Sequence, residues 1–191
     1  MKPLILAAGL LLILVAPIAA QQAPQTPAEQ ALFEAAYLGK LAEVERLVAA
    51  GTAVDAMDPE NRTPMMFAAF DGRRQVVSFL LREGAKVDAK DSNGRTGLMY
   101  ASSGPYAETV EVLLAAGAEV DTQGMLEGFT ALMTAAAEGQ IEVVRLLLEH
   151  GADPILKDVD GDTALSFARE KGHTEVVELL ETDSPESDGP K

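Results

Sequence analysis

Apolar residues recur along this chain in pairs of short segments with helical spacing, and the pairs themselves repeat at a fixed interval. In the clearest copy, residues 142–150, the apolar positions fall on one face of a helix. The threonines that precede the first segment of each pair lie 33 or 34 residues apart and are Thr63, Thr96, Thr130 and Thr163. This interval predicts a solenoid, because each unit buries its apolar face only against its neighbours.

The chain divides into five such units, each predicted to be a helix–turn–helix pair. Their approximate bounds are 28–57, 58–90, 91–123, 124–157 and 158–181. In the second unit, Thr63 is predicted to cap the first helix, with Pro64 at the first helical position. Asn61 stands where other units carry glycine, and asparagine tolerates the left-handed backbone expected there.

The sequence motifs of the units resemble those of a known family. The turns Asp91–Thr96 (DSNGRT) and Asp158–Thr163 (DVDGDT) resemble the DxxGxT turn of ankyrin repeats, and Glu142–Asp153 resembles their second helix and exit. The resemblance covers about residues 26–181. It implies an all-α ankyrin-repeat solenoid with short hairpin-like fingers, which binds other proteins across its finger tips and the exposed side of its first helices.

The two ends of the chain differ from the units. Residues 1–20 have the lysine, apolar core and small-residue end of a secretory signal peptide, and an uncleaved membrane anchor is the competing interpretation. Residues 21–27 are predicted to be a flexible linker and residues 182–191 a disordered tail. Export without any cysteine favours a bacterial periplasm over a eukaryotic secretory pathway.

Composition narrows the class of partner. The 191 residues carry a formal net charge of −15, which argues against binding to nucleic acid or to an anionic membrane surface. The same charge favours a basic protein partner. Without cysteine there is no disulfide framework, thiolate zinc cluster or catalytic thiol.

No residue pattern predicts a catalytic, cofactor or metal site. His150 and His173 occupy a helix end and an interhelical turn, where a structural role is expected. The acidic run 158–162 begins like a calcium loop but lacks the later glycine and glutamate that such a loop requires. Met66, Met99 and Met133 share one register and are predicted to be core residues rather than metal ligands.

The candidate protein-binding residues are finger-tip and first-helix positions, together with aromatic and apolar residues that have no evident core role. They are Tyr37, Arg62, Phe70, Asp71, Arg95, Tyr106, Met125, Leu126, Glu127, Phe129, Glu138 and Asp160. Two alternatives stay open at this point. Phe70 and Phe129 bind a partner or pack on a neighbouring finger, and the irregular Pro105-Tyr106 turn is either functional or the result of drift.

The expected function is therefore a non-catalytic, monomeric, periplasmic module that binds another exported protein through its concave face. The resemblance extends to exported bacterial ankyrin proteins associated with catalase and oxidative-stress defence, which implies a scaffold or partner of a periplasmic enzyme. The alternative is an immunity-type inhibitor that masks an exported antibacterial toxin, because an acidic protein suits a basic effector. An enzyme would need a polar pocket with a perturbed titratable group, for which the sequence offers no candidate.

Overall fold

The computed structural model describes residues 25–183, and these form ten α-helices in five consecutive pairs, with no strand in that range. The helices are α1 Pro27–Tyr37, α2 Leu41–Ala49, α3 Pro64–Phe70, α4 Arg74–Arg82, α5 Gly97–Ser102, α6 Ala107–Ala115, α7 Ala131–Ala137, α8 Ile141–Glu149, α9 Ala164–Lys171 and α10 Thr174–Asp183. The prediction of an all-α solenoid of five helix pairs is confirmed. Within residues 25–183, no helix has the length and apolar content needed to cross a bilayer.

The helices form two layers. The first helices of the pairs (α1, α3, α5, α7 and α9) pack side by side, and the second helices (α2, α4, α6, α8 and α10) form a parallel row behind them. Small buried residues such as Ala68, Ala69 and Ala135 let neighbouring first helices approach closely. Leucines such as Leu80 and Leu147 fill the space between the layers and are fully buried. The core is thus a continuous strip along the stack, as expected for a repeat solenoid.

The turn threonines begin the first helices as predicted. Each of these threonines has an extended backbone, and its side-chain oxygen accepts a hydrogen bond from the backbone N–H of the third residue of the helix. The four residues are Thr63, Thr96, Thr130 and Thr163. In three repeats that third residue is a methionine, and Met66, Met99 and Met133 are all buried, also as predicted. Asn61 has the expected left-handed backbone, with φ of 60°.

The helix pair of the first repeat begins earlier than predicted. Thr26 caps α1 through a capping box with Glu29, and Pro27 is its first residue, so the last two residues of the predicted linker 21–27 belong to the helix and its cap. At the other end α10 continues to Asp183, so residues 182 and 183 of the predicted tail are helical. The predicted signal peptide 1–20 and the remainder of the tail lie outside the described residues.

Hydrogen bonds at regular intervals join adjacent repeats. Asp88 Oδ1 accepts from the backbone N–H of Glu119 at 2.9 Å, and equivalent bonds run from Lys86 to Asp55 and from Asp153 to Asp121. The loops that precede the first helices, which we call fingers, are joined by backbone hydrogen bonds. The N–H of Ser92 donates to the carbonyl of Glu60, that of Met125 to Asn93 and that of Val159 to Glu127. These bonds fix the spacing of the fingers and therefore the shape of the surface beside them.

Candidate protein-binding groove

A row of aromatic side chains lines the exposed side of the first helices. Phe67, Tyr100 and Phe167 each lie four residues after a capping threonine, which is one helical turn into the first helix. Phe33 of α1 extends the row, and its ring lies 5.4 Å from that of Phe67. Because adjacent helices pack closely, this one register produces an aromatic strip over the first three repeats, and Thr134 separates it from Phe167.

The strip opens into two adjoining pockets, which together we refer to as the groove. The aromatic pocket, of about 350 Å³, is lined by Phe33, Glu34, Tyr37, Arg62, Met66, Phe67, Phe70 and Tyr100. The mixed pocket, of about 250 Å³, is lined by Phe70, Asn93, Arg95, Met99, Tyr100, Ser103, Gly124, Leu126, Glu127, Phe129, Thr134 and Glu138. The groove therefore crosses the first four repeats.

Phe70 and Tyr100 form the ridge between the two pockets, since both residues line both of them. Their rings meet edge to face, with centroids 6.2 Å apart and planes at 82°. Phe70 nevertheless keeps 47% of its surface exposed. An exposed ring held by a neighbouring ring is a preorganised contact for an apolar side chain of a partner.

Hydrogen bonds at the foot of the ridge fix Tyr100. Its hydroxyl donates to Asp91 Oδ2 at 2.7 Å, and Asp91 Oδ1 accepts from the backbone N–H groups of Asn93 and Arg95, each at 2.8 Å. Burial, together with the hydrogen bond to the Asp91 carboxylate, raises the pKa of Tyr100 to about 12. Tyr100 is therefore a neutral, fixed donor at neutral pH.

Arg62 is fixed in a similar way at the edge of the aromatic pocket. Its guanidinium lies 4.8 Å from the centroid of the Phe67 ring, within range of a cation–π interaction. The same group makes ion pairs with Asp58 at 2.6 Å and with Glu60 at 3.2 Å. Asp58 is buried, so its charge requires this partner. The positive charge of Arg62 is thus neutralised within the protein.

The charges left over in the groove are negative. Arg95 lies 3.7 Å from Glu127 in the mixed pocket, which pairs both of those side chains. Glu34 lines the aromatic pocket and Glu138 lines the mixed pocket, and both are exposed. Neither carboxylate makes an ion pair or hydrogen bond with another residue in the 25–183 range. Among the described residues, each pocket therefore contains one carboxylate without a counterion.

The loop of residues 122–128, which we call the longer finger, has one extra residue because Thr96 and Thr130 lie 34 rather than 33 residues apart. It forms one wall of the mixed pocket. Gln123 holds it in place, because its side-chain amide donates to the carbonyls of Gly128 at 2.9 Å and of Lys157 at 2.8 Å. At its tip, Met125 is 74% and Leu126 68% exposed. The extra residue in this finger thus produces a fixed apolar tip beside the groove.

The structure brings together eight of the twelve predicted binding residues in the groove. They are Tyr37, Arg62, Phe70, Arg95, Leu126, Glu127, Phe129 and Glu138. Three others lie outside it: Asp71 ends α3 in an ion pair with Arg73, while Met125 and Asp160 are at finger tips. The fourth, Tyr106, lies in the turn between α5 and α6.

Tyr106 has a packing role that its sequence position did not reveal. Its ring fills the space over Gly72 of the preceding repeat and Gly104 of its own, where added Cβ atoms would collide with it. His173 makes the corresponding contact with Gly139, and Arg73 with Gly39. The irregular turn at Pro105-Tyr106 therefore has a structural role, because the Tyr106 ring packs on the preceding repeat at the position that Arg73 and His173 occupy in their own repeats.

Phe129 packs on the next repeat and also lines part of the groove. Its ring lies 4.9 Å from that of Phe167 in the next repeat, edge to face, and the residue is half-buried. Part of its surface still lines the mixed pocket. Both Phe129 and Phe70 thus pack on a ring of the following repeat, but Phe70 remains 47% exposed. Partner binding by either ring stays a prediction.

Several groove residues were missed by the sequence reasoning, notably Phe33, Phe67 and Tyr100. A signal for them existed, because Phe33, Phe67, Tyr100 and Phe167 fall in one register of the 33-residue repeat, interrupted only by Thr134. Aromatic residues at helical spacing are commonly core residues, which hides such a strip in the sequence. Glu34 was missed because nothing in the sequence shows which surface carboxylates lack counterions.

Both histidines make hydrogen bonds to backbone carbonyls. His173 Nε2 lies 3.0 Å from the carbonyl oxygen of Ala137 in the preceding repeat, and His150 Nδ1 lies 2.8 Å from that of Leu146. Neither residue lines the groove. Within residues 25–183, no cluster of three or more metal-ligating side chains occurs.

Comparison with known proteins agrees with this architecture. The family model described as "Ankyrin repeats (3 copies)" matches residues 32–124 and 119–188, which together are more than half of the chain. Similar proteins include mouse "Ankyrin repeat family A protein 2", 57% identical over 49 residues, and rice "Probable E3 ubiquitin-protein ligase XBOS34", 52% identical over 52 residues. These matches cover 26% and 27% of this chain, but only 16% and 10% of the two relatives.

Proposed function

This chain belongs to the ankyrin repeat family, whose fold is in general a non-catalytic module that binds protein partners, and we propose that the groove is its binding site. The partner is another exported protein, and the complex forms in the periplasm with a single copy of this chain. The ridge of Phe70 and Tyr100 between the aromatic and mixed pockets carries the proposal. It offers exposed aromatic surface on a rigid scaffold, which is the common form of a protein-binding hot spot.

The polar groups near the groove support a binding role over a catalytic one. Asp58, Asp91 and the Tyr100 hydroxyl all act in internal hydrogen bonds that hold the turns and the ridge. A general base or nucleophile needs a free position opposite the reacting group. These side chains instead serve to keep the binding surface rigid. This reduces the entropy lost on association.

Two kinds of partner fit the proposal. One is a periplasmic enzyme that this module holds or escorts, including an enzyme of oxidative-stress defence. The second is an antibacterial toxin neutralised by this chain as an immunity protein. The net charge of −15 and the carboxylates of Glu34 and Glu138 favour the second when the effector is basic. Growth of toxin-exposed cells with and without the gene separates the two kinds.

Site-directed photocrosslinking tests the proposed site. The full chain is expressed in its source cells with a photoreactive phenylalanine analogue at position 126, beside the mixed pocket, or at position 155. Leu126 is 68% and Ile155 55% exposed, and only the former lines the groove, so Ile155 is the matched control. We expect a light-dependent adduct from position 126 alone, recovered in the osmotic-shock fraction and identified by mass spectrometry.

Adduct formation should also depend on the ridge. Adding Phe70→Ala to the position-126 variant removes exposed ring surface and is expected to abolish the adduct, whereas Val159→Ala, also at an exposed apolar position, should leave it intact. Equal adducts from positions 126 and 155 would contradict the groove as the binding site. Recovery of the adduct in the cytoplasmic fraction would contradict the periplasmic location.

A further inference from the structure

The placement of charge in the groove restricts the chemistry of its occupant. The two cations of the groove, Arg62 and Arg95, are already paired with carboxylates of the protein. The remaining carboxylates, Glu34 and Glu138, lie one in each pocket. An acidic ligand would meet uncompensated negative charge at both, while a basic ligand would find a counterion at both.

The two glutamates also stand at opposite ends of the groove. Glu34 lies on α1 in the first repeat, and Glu138 ends α7 in the fourth. First helices pack directly on one another, so three helix-to-helix steps separate the two carboxylates. At about 8–10 Å for each step, the separation is roughly 24–30 Å. An extended chain spans that distance with about seven to nine residues.

Between these ends the two arginines are already paired, and aromatic and apolar side chains form much of the lining. Phe33, Met66 and Phe67 line the aromatic pocket on one side of the ridge, and Leu126 and Phe129 line the mixed pocket on the other. Two apolar side chains that straddle the ridge of Phe70 and Tyr100 would fill both pockets. An extended segment presents alternate side chains to one face, so a single chain can place one side chain in each pocket.

We propose that the groove binds an extended segment of the partner protein in which two apolar residues are flanked by basic residues about seven to nine positions apart. The apolar side chains enter the aromatic and mixed pockets, and the basic side chains reach Glu34 and Glu138. This proposal rests on the groove being the binding site and adds the chemical class of the segment that it recognises. The acidic groove thus selects for a basic–apolar–apolar–basic pattern.

Peptide selection tests this pattern without knowledge of the natural partner. Random peptides of about twelve residues, long enough to span the groove, are displayed on phage and selected against the immobilised full-length protein. We expect enrichment of two apolar or aromatic positions between Lys or Arg residues at the stated spacing. The Glu34→Gln/Glu138→Gln variant should keep the apolar preference and lose the basic one. Glu111→Gln/Glu142→Gln, which changes two exposed carboxylates outside the groove, is the matched control.

Affinities of one enriched peptide give the quantitative test. Replacing either glutamate by glutamine removes one exposed ion pair with the peptide and is expected to weaken binding by roughly twofold to fivefold. This loss of affinity should be smaller at high salt. In the Glu34→Lys/Glu138→Lys variant, a peptide with its basic residues changed to glutamate should bind better than the original peptide. Such a charge exchange would not follow from a merely structural role of the two glutamates.

Three outcomes would overturn the proposal. They are enrichment of apolar peptides with no basic preference, equal affinity for both charge arrangements, and no enrichment at all. The last outcome would mean that the groove does not take an extended segment. In that case a groove-dependent crosslink from position 126 would still support the proposed function, and a folded surface would be the ligand. Absence of that crosslink would instead remove the proposed function itself.

Discussion

Replacing Tyr100 by phenylalanine removes one oxygen atom and keeps the ring on the ridge of the groove. The lost hydroxyl donates to Asp91 Oδ2 at 2.7 Å, and Asp91 is buried, with 5% of its surface exposed. A hydrogen bond to a charged group contributes about 1.5–3 kcal/mol to stability, and we expect Tyr100→Phe to lower the free energy of unfolding by that amount. Asp91 keeps its two backbone bonds through Oδ1, so the turn itself remains formed.

The same contact makes part of the stability depend on pH. The pKa of Tyr100 is raised to about 12 in the folded state, against about 10 for an unperturbed tyrosine. The folded state therefore holds this proton more tightly than the unfolded state does. The stabilisation contributed by the protonated Tyr100 hydroxyl is fully present below about pH 10 and is lost as the pH rises towards 12. The stability difference between wild type and Tyr100→Phe should shrink across that window.

Urea unfolding followed by circular dichroism measures both effects. Tyr37→Phe removes the same hydroxyl from a residue that is 41% exposed and should change stability by less than about 0.5 kcal/mol. Ultraviolet titration of tyrosinate should show a component near pH 12 in Tyr37→Phe that is missing from Tyr100→Phe. Equal stability of the two variants near neutral pH would show that the Tyr100–Asp91 hydrogen bond does not stabilise the protein.

Two further comparisons test how the repeats pack. Gly72→Ala and Gly84→Ala both place alanine at a positive φ, but only the methyl group at position 72 would collide with Tyr106. Gly72→Ala should therefore lower the free energy of unfolding, measured in urea, by about 1–3 kcal/mol more than Gly84→Ala does. Equal losses would show that Tyr106 yields freely. Phe129→Ala should lower stability by at least about 1 kcal/mol, since its ring packs at 4.9 Å on the next repeat, whereas Leu126→Ala should stay within about 0.5 kcal/mol. The opposite order would place the structural role in the finger tip.

The groove was only partly predictable from the sequence. Exposed positions such as Phe70, Leu126 and Glu138 follow from the repeat register, because each unit presents the same positions to solvent. Tyr106 could not be placed in this way, since its contacts are with a glycine of the preceding repeat, 34 residues earlier. The repeat periodicity predicts which residues share a face of a helix, but it does not predict which ring fills a space between two repeats.

The sequence by itself determined the five helix pairs, their order and the threonines that precede the first helices of the last four repeats. Helical periodicity and caps such as Thr96 and Thr130 are local, and each acts within a few residues of its own position. Only the tertiary structure decided that Phe70 and Tyr100 form a ridge, that Arg62 is already neutralised and that Glu34 has no counterion among the described residues. The ridge depends on the distance between rings of adjacent repeats, and the pairing of Arg62 with Asp58 and Glu60 depends on the conformation of its own turn. The folded structure fixes both, whereas periodicity leaves both open.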